Sequence, residues 1–284
     1  MTFSINKNSP SHRVLEYNGM RLELGKRTLI MGILNATPDS FSDGGRYISV
    51  NSAVEQAGRM LEEGADILDI GGESTRPGAE PVDEQEELER VLPVIEAVRS
   101  AFGPSLPISI DTYKPNVARQ AIKAGAHIIN DIWGFRGDPV MAETAAALRC
   151  PAILMHNRQQ MDYTDFLTDV IQDLQESIRI SQDAGIPESS IILDPGIGFA
   201  KTQDHNLQLM NNLERIAALG YPVLLGTSRK RFIRSILDLP VDDVIEGTVA
   251  TTVIGIMKGC SIIRVHDVKA NKRAALMADA VIRS

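Results

Sequence analysis

Short apolar runs alternate along the chain with longer stretches in which apolar residues recur at helical spacing. The runs have three to six residues, are rich in Ile, Leu and Val, and cover 29–34, 67–70, 108–110, 127–129, 152–155, 191–193, 223–225 and 262–265. Continuous apolar runs of this length are typical of parallel strands buried on both faces. The helical spacing predicts helices over 53–63, 84–100, 165–184, 241–258 and 268–282.

Eight strand–helix units within about 250 residues favour a (β/α)8 TIM barrel, an α/β fold, over an open doubly wound sheet. Ahead of the first unit, Asn18-Gly19 separates two short apolar segments and is the strongest short hairpin signal. We expect a β-hairpin at about 14–24 that caps the N-terminal mouth of the barrel. No linker or low-complexity tract interrupts the pattern, so residues 1–284 are predicted to form a single domain.

The charge balance restricts the class of partner. Lys and Arg total 29 against 37 Asp and Glu, a formal net charge of −8. General binders of nucleic acid or anionic membranes need excess positive charge, so neither partner is expected, although a local basic pocket remains possible. Cys150 and Cys260 form no C-x-x-C pair, residues 1–13 contain no apolar stretch typical of a signal peptide, and no apolar run reaches 18 residues. We therefore expect a soluble, cytoplasmic protein.

Polar residues follow nearly every predicted strand. Barrel enzymes carry their active sites at the carboxyl ends of the strands, where closure of the barrel makes residues distant in sequence neighbours. The residues at these positions are Asn35, Glu73 to Arg76, Asp111, Asn130, Asp131, His156, Asn157, Asp194, Thr227 to Lys230, Arg264 and His266. For Asp131, Asn157 and Thr227, a turn or helix-capping role is at least as well supported as a ligand role.

Two chemistries converge in this ring. Asp111, Asp194 and Asn130 would form an acceptor-rich site suited to a planar heterocycle with a donor edge. The nearby cations suit phosphate oxygens, and they are Arg76, Arg229, Lys230, Arg264 and His266. The five histidines lack zinc-site spacing, so no zinc is expected, and structural roles are predicted for His127 and Cys150.

Two loops are longer than ordinary βα connections. They cover 36–47 and 71–81, and they are either binding loops or plain surface connections. Their sequences, Leu34–Gly45 and Asp69–Gly78, resemble the two signature loops of the dihydropteroate synthase family of pterin-binding enzymes. The resemblance continues in order over about 14–284, through 110–112, 129–131, 154–158, 193–199, 226–230 and 264–268. His156-Asn-Arg158 is most similar to members from Gram-positive bacteria.

The resemblance implies a transferase of folate biosynthesis. Para-aminobenzoate would displace pyrophosphate from 6-hydroxymethyl-7,8-dihydropterin diphosphate, with Mg²⁺ as cofactor, and give 7,8-dihydropteroate. Members of the family are sulfonamide targets, and a homodimer through the helices near strands seven and eight is implied. Two alternatives remain open: a pterin-binding methyltransferase acting on a corrinoid protein, and a catalytically silent pterin-binding barrel.

The resemblance also implies roles for individual residues. The pterin would be bound by Asp111, Asn130, Asp194 and Lys230. The diphosphate would be bound by Asn35, Arg76, Arg264 and His266, with Mg²⁺ coordinated through Asn35. Para-aminobenzoate would contact Phe41, Thr75, Pro77, Phe199 and Ser228. The catalytic residues would be Asp111, Lys230, Thr75 and Arg76.

Overall fold

A computed structural model of the chain describes residues 13–36, 46–73 and 80–284. Two short strands, β1 (Arg13–Tyr17) and β2 (Met20–Leu24), form an antiparallel hairpin. Eight parallel strands follow as β3 (Leu29–Asn35), β4 (Ile67–Gly71), β5 (Ile108–Asp111), β6 (Ile128–Asp131), β7 (Ala152–Met155), β8 (Ile191–Asp194), β9 (Leu224–Leu225) and β10 (Ile262–Val265).

The eight parallel strands form a nearly closed barrel. Each pairs with the next along the chain from β3 to β8, and β10 returns to pair with both β3 and β9. The last edge, between β8 and β9, is joined by a single bridge from Leu193 to Val223. The predicted (β/α)8 fold and the N-terminal hairpin are both confirmed.

Helices surround the barrel in the order expected for βα units. They are α1 (Arg46–Glu62), α2 (Glu84–Phe102), α3 (Pro115–Ala124), α4 (Pro139–Leu148), α5 (Phe166–Asp183), α6 (Gln203–Met210), α7 (Leu213–Ala217), α8 (Arg231–Leu237), α9 (Ile245–Met257) and α10 (Val268–Ile282). The five predicted helices are present as α1, α2, α5, α9 and α10, although α1 begins earlier and α9 later than expected. The other five were not predicted because they have ten residues or fewer and too few turns to show a clear period.

The hairpin closes the amino-terminal end of the barrel. Its apolar side chains, Leu15, Met20, Leu22 and Leu24, form one cluster with residues at the amino ends of seven barrel strands: Leu29, Met31, Ile67, Ile128, Ile153, Ile192, Leu224 and Ile262. Arg13 reinforces the contact by donating to the carbonyl oxygens of Glu188 and Gly220 at 3.0 and 2.6 Å. The barrel interior is therefore sealed at this end and available for chemistry only at the other.

Candidate active site

The polar pocket follows from the two-residue period of the strands. Because side chains of a strand alternate between faces, the residue two positions beyond an inward apolar residue also points inward. Two residues beyond Ile67, Ile128, Ile192 and Ile262 of the apolar end lie Asp69, Asn130, Asp194 and Arg264. Asp111 stands two residues beyond the buried Ser109 in the same way. The sequence thus places charged and amide groups directly above an apolar layer.

Asp69 is the carboxylate to which three neighbouring side chains are bonded. It is fully buried, and it accepts hydrogen bonds from Arg264 Nε at 2.6 Å and from the amide nitrogen of Asn130 at 3.3 Å. The Ser109 hydroxyl donates to its other oxygen. These contacts turn the amide nitrogen of Asn130 toward Asp69 and its carbonyl oxygen elsewhere. The sequence pattern alone assigns Asp69 no role beyond its place in the signature loop Asp69–Gly78.

Arg264 joins Asp69 to Asp111. Its Nη2 donates to Asp111 Oδ2 at 2.5 Å while Nε is held by Asp69. Burial alone would lower the pKa of Arg264, but the two facing carboxylates raise it, so the guanidinium is charged. Burial raises the pKa of Asp111 to about 7 against the opposing effect of Arg264. Asp111 Oδ1 is buried and has no hydrogen-bond partner among the described residues, so it can accept from a ligand.

Asp194 and Lys230 occupy the neighbouring part of the pocket. Asp194 Oδ1 accepts a hydrogen bond from Gly196 N at 2.7 Å, and burial raises the pKa of its carboxyl group. Lys230 donates to the carbonyl oxygen of Ile197, and its Nζ lies 4.8 Å from the ring centroid of Phe199. Burial lowers the pKa of Lys230 to about 8, although Asp194 opposes that shift.

His266 and Ser228 form a pair at the rim. His266 N donates to the Ser228 hydroxyl oxygen at 3.1 Å, and the same oxygen lies 3.0 Å from His266 Nδ1. Next to Ser228, Arg229 pairs with Asp267 at 2.6 Å instead of joining the pocket. The rim therefore holds His266 in a fixed orientation.

The structure brings most of the predicted site residues together. Hydrogen bonds and charge interactions, some through Asp69, connect six of them at the carboxyl end of the barrel: Asp111, Asn130, Asp194, Lys230, Phe199 and Arg264. Ser228 and His266 form a separate pair after β9 and β10, and Asn35 ends the adjacent β3. The predicted residues Phe41, Thr75, Arg76 and Pro77 lie outside the described residues, as does most of the two long loops.

Several other polar or buried side chains make structural contacts. Asp131 accepts from the backbone N–H groups of Trp133 and Phe135 and is a turn former, with its pKa raised to about 6 by burial. Asn157 accepts from Arg158 N, and Thr227 bonds the hydroxyl of Thr251. His127 accepts from Ile108 N and contacts the carbonyl oxygen of Pro104, and Cys150 is buried.

Sequence reasoning missed a second group of buried charges. Lys201 Nζ lies 2.8 Å from His156 Nδ1, and His156 Nε2 lies 3.0 Å from Asp173 Oδ2. The burial of Lys201 could not be predicted from hydrophobic periodicity, because it lies in a glycine-rich turn and its burial depends on how that turn packs. Lys114 is a further case, since it donates to Glu73 and to Val82 O, on the two sides of segment 74–79.

The site has few groups that could hold a metal by themselves. Among residues 13–36, 46–73 and 80–284, no cluster of three or more His, Cys, Asp or Glu side chains could bind a cation. Asn35 is partly exposed at the end of β3, and its carboxamide forms no hydrogen bond within the described residues. Mg²⁺ commonly takes one or two protein oxygens and completes its shell with substrate phosphates and water. Asn35 fits that arrangement as a single protein ligand.

Comparison with known proteins gives the same picture. The sequence profile of a family described as pterin binding enzyme matches residues 31–266. A dihydropteroate synthase from Clostridium beijerinckii is 56% identical over 270 residues, which cover 95% of this chain and 100% of that protein. In the described part of the chain, no helix is long and apolar enough to cross a membrane.

Two solved structures share the fold over nearly the full length. A Clostridium difficile dihydropteroate synthase, crystallised in the presence of pteroic acid, has a TM-score of 0.90 at 45% identity, covering 93% of this chain and 100% of that one. A Xanthomonas albilineans synthase with 4-aminobenzoic acid has a TM-score of 0.91 at 43% identity, covering 96% and 100%. The chain therefore belongs to the dihydropteroate synthase family of pterin-binding enzymes. This confirms the resemblance and the transferase class predicted from sequence.

Proposed function

We propose that the chain condenses para-aminobenzoate with 6-hydroxymethyl-7,8-dihydropterin diphosphate and releases 7,8-dihydropteroate and pyrophosphate. One observation carries this proposal: the buried acceptors of Asp111, Asn130 and Asp194 lie together with the cations Arg264 and Lys230 at the carboxyl end of the barrel. A neutral heterocycle with several N–H donors and an anionic leaving group needs both kinds of group.

The pterin is recognised by its donor edge. Asp194 has one oxygen held by Gly196 N, which fixes the carboxylate so that it can accept from the 2-amino and N3–H groups of the ring. The carbonyl oxygen of Asn130 supplies a further acceptor, because its nitrogen is held by Asp69. Lys230 reaches the O4 and N5 side of the ring and donates there. A buried bond of this kind to a charged group contributes about 1.5–3 kcal/mol.

The diphosphate is bound at the side of the pocket formed by β3 and β10. Arg264 lies on β10, and His266 directly follows the end of that strand. Ser228 Oγ lies 3.0 Å from His266 Nδ1 and holds the ring at this position, where His266 is proposed to bind a phosphate oxygen. Asn35 and Arg76 are proposed to complete the binding set, and Asn35 is the residue that would hold Mg²⁺. When bound, Mg²⁺ neutralises charge that develops on the departing pyrophosphate.

The chemistry is electrostatic. As the bond from the pterin methylene carbon to the diphosphate oxygen breaks, positive charge spreads into the ring. Asp111, whose buried Oδ1 has no hydrogen-bond partner among the described residues, stabilises that charge, and the cations stabilise the leaving anion. The amine of para-aminobenzoate then attacks the methylene carbon and loses a proton. Preorganised donors and charges of this kind are often the largest catalytic contribution, at about 3–4 kcal/mol for one group.

Para-aminobenzoate binds beside the ring of Phe199. This ring lies under Lys230, with Nζ 4.8 Å from the ring centroid. Ser228 lies near the same rim, and Phe41, Thr75 and Pro77 are proposed to complete the subsite, with Thr75 and Arg76 assisting catalysis. The 4-aminobenzoic acid in the Xanthomonas albilineans structure supports this substrate class.

We also infer that the chain forms a homodimer through α9 and α10. These helices pack against each other and expose large apolar side chains on the outside of the barrel: Ile254, Met257, Leu276, Met277, Val281 and Ile282. Covering such a surface with a second copy would remove it from water. A single domain spanning residues 1–284 and a cytoplasmic location also remain predictions; the latter agrees with two free, buried cysteines.

The decisive experiment is a pyrophosphate-release assay. Release should require both para-aminobenzoate and the pterin diphosphate, and should fall when Mg²⁺ is chelated. Tight pterin binding without release would instead indicate a silent binding barrel, and methyl transfer from methyltetrahydrofolate would indicate the methyltransferase alternative. Asp194→Ala should weaken pterin binding about 10- to 150-fold, whereas the matched Asp138→Ala variant, which loses a helix cap outside the pocket, should bind normally.

A further inference from the structure

We propose that Lys201 is a positioning residue, which holds the segment Gly196–Phe199 in the conformation that orients Asp194 and Lys230. The proposal concerns a residue outside the pocket and rests on the function proposed above. Lys201 follows β8 and is 9% exposed. Its Nζ donates to Gly196 O at 2.8 Å and to Phe199 O at 3.0 Å, and it lies 2.8 Å from His156 Nδ1.

The three contacts match the three donors of an ammonium group. The Asp173 carboxylate lies 3.0 Å from His156 Nε2, so this nitrogen carries the ring proton and Nδ1 is an acceptor. Burial lowers the pKa of His156 to about 4, which keeps the ring neutral. Burial and the neighbouring Lys230 lower the pKa of Lys201, whereas the carboxylates of Asp194 and Asp173 act in the opposite sense.

Asp173 is itself held firmly. Arg158 Nε donates to its Oδ2 at 2.6 Å, and Arg136 Nη1 lies 3.3 Å from the same oxygen. Burial opposes ionisation of Asp173, but its bonds to His156 and Arg158 lower its pKa, so it stays charged. A chain of contacts therefore runs from α5 through His156 at the end of β7 to Lys201, beneath the segment that follows β8.

The segment Gly196–Phe199 needs such support because its backbone is unusual. Gly196, Gly198 and Ala200 have φ values of 68°, 87° and 45°, all in the left-handed region. A Cβ at Gly196 would lie 1.9 Å from the carbonyl oxygen of His156, so the turn is pressed against the end of β7. Glycine adopts such φ values without a steric cost, whereas Ala200 costs free energy in this region and persists because its surroundings hold it.

The opposite side of the same segment contacts the pocket. Gly196 N donates to Asp194 Oδ1, and Ile197 O accepts from Lys230 Nζ. The Phe199 ring lies beneath Lys230. Lys201 thus bonds the carbonyl groups of Gly196 and Phe199 on one side, while the backbone of the same turn fixes two pterin-binding side chains on the other.

The test is the variant Lys201→Met, which keeps the length and apolar stem of the side chain but removes the three donors. Calorimetry with 6-hydroxymethylpterin should show at least a tenfold weaker affinity, and the KM for the pterin diphosphate should rise by a similar factor while kcat stays within about threefold. Asp173→Asn, a milder change that removes the charge behind His156, should shift binding and KM in the same direction by a smaller factor.

Lys258→Met is the matched control. Lys258 Nζ also bonds a backbone carbonyl group and a carboxylate, Asn211 O and Glu214 Oε2, but it lies on α9's C-cap, away from the pocket. Its pterin affinity should equal that of the wild type. If Lys201→Met and Asp173→Asn lower the unfolding temperature yet bind 6-hydroxymethylpterin within twofold of wild type, Lys201 is only structural and the inference is wrong. The calorimetric affinity for 6-hydroxymethylpterin does not depend on turnover. Failure of the proposed reaction would instead appear in the pyrophosphate assay, as wild-type protein that releases no pyrophosphate.

Discussion

Asp69 Oδ2 accepts a hydrogen bond from Arg264 Nε at 2.6 Å, although 195 residues separate them along the chain. The guanidinium also bonds Asp111, so one cation lies between two buried carboxylates. Removing one partner of a buried ion pair leaves the remaining charge without compensation. This typically costs more stability than replacing both partners by apolar residues. The arrangement makes Asp69 the support of both Arg264 and Asn130.

Asp69→Asn should therefore affect both stability and substrate binding. The free energy of unfolding should fall by about 3–5 kcal/mol because a buried ion pair is broken. The KM for the pterin diphosphate should rise about 10- to 150-fold, since Arg264 and Asn130 lose a charged hydrogen-bond partner. Denaturant unfolding and steady-state kinetics measure the two effects.

Asp66→Asn provides the control for that prediction. Asp66 immediately precedes β4, three residues before Asp69, and pairs with Arg27 and Lys272. Its loss should lower stability while leaving the KM unchanged. Equal KM changes in both variants would mean that the effect of Asp69 is transmitted by general loosening of the barrel, and not by Arg264.

The rate should depend on pH within a narrow range. Burial raises the pKa of Asp111 to about 7, so kcat/KM should increase as pH rises through about 7 and this carboxylate ionises. Burial lowers the pKa of Lys230 to about 8, so kcat/KM should decrease above that pH. Asp111→Asn should abolish the lower limb of the profile, and Lys230→Arg should move the upper limb to higher pH. A flat profile between pH 6 and 9, roughly, would contradict both assignments.

Asp111 should also leave a signature in stability. Its pKa is higher in the folded chain than its ordinary value of 3.8, so the folded state binds more protons between about pH 4 and 7. Its contribution to stability is therefore fully present at low pH and is lost as pH rises through about 7. Denaturation across this range should show wild type losing stability relative to Asp111→Asn.

The hairpin at the closed end should contribute stability without touching catalysis. Leu24 is 1% exposed and packs against the amino ends of the barrel strands. Leu24→Ala should lower the free energy of unfolding by about 2–5 kcal/mol, whereas Leu207→Ala, at a position 40% exposed, should change it by less than about 0.5 kcal/mol. Both variants should retain wild-type kcat at 25 °C. A fall in kcat for Leu24→Ala would show that the two ends of the barrel are coupled.

The dimer is tested by light scattering. Met277 is 66% exposed on α10, within the apolar surface proposed as the interface. Wild-type protein at micromolar concentration should have the mass of a dimer, and Met277→Asp should shift it to a monomer, because burying an unpaired carboxylate is costly. Met161→Asp, at an exposed apolar residue between β7 and α5, should remain dimeric. A monomeric wild type would exclude the interface.

The fold was predictable because it depends on short-range patterns. The eight apolar runs and Asn18-Gly19 encode strands and a turn locally, and the count of units fixes the barrel. The polar ring was predictable because Asp111, Asn130 and Asp194 stand at the carboxyl ends of predicted strands. Parallel strands in a barrel bring these ends together at one mouth.

Partnerships within the ring were harder to predict. Asp69 could have been found, because it stands two residues beyond the inward Ile67 inside an apolar run, and a charge there has to be paired. Lys201 could not, since only the three-dimensional course of the glycine-rich turn brings it to His156. The pairing of Arg264 with Asp69 and Asp111 was also not predictable, because it depends on the side-chain conformations of residues on three different strands.

The weak seam between β8 and β9 has a consequence for ligand binding. A single bridge joins these edges, and β9 has only two residues, so the barrel wall is thinnest there. Asp194 ends β8 on one side, and Lys230 follows β9 on the other. A heterocycle bonded to both residues would connect the two strand edges. Substrate binding would therefore stabilise the barrel at this position and slow amide hydrogen exchange in β8 and β9.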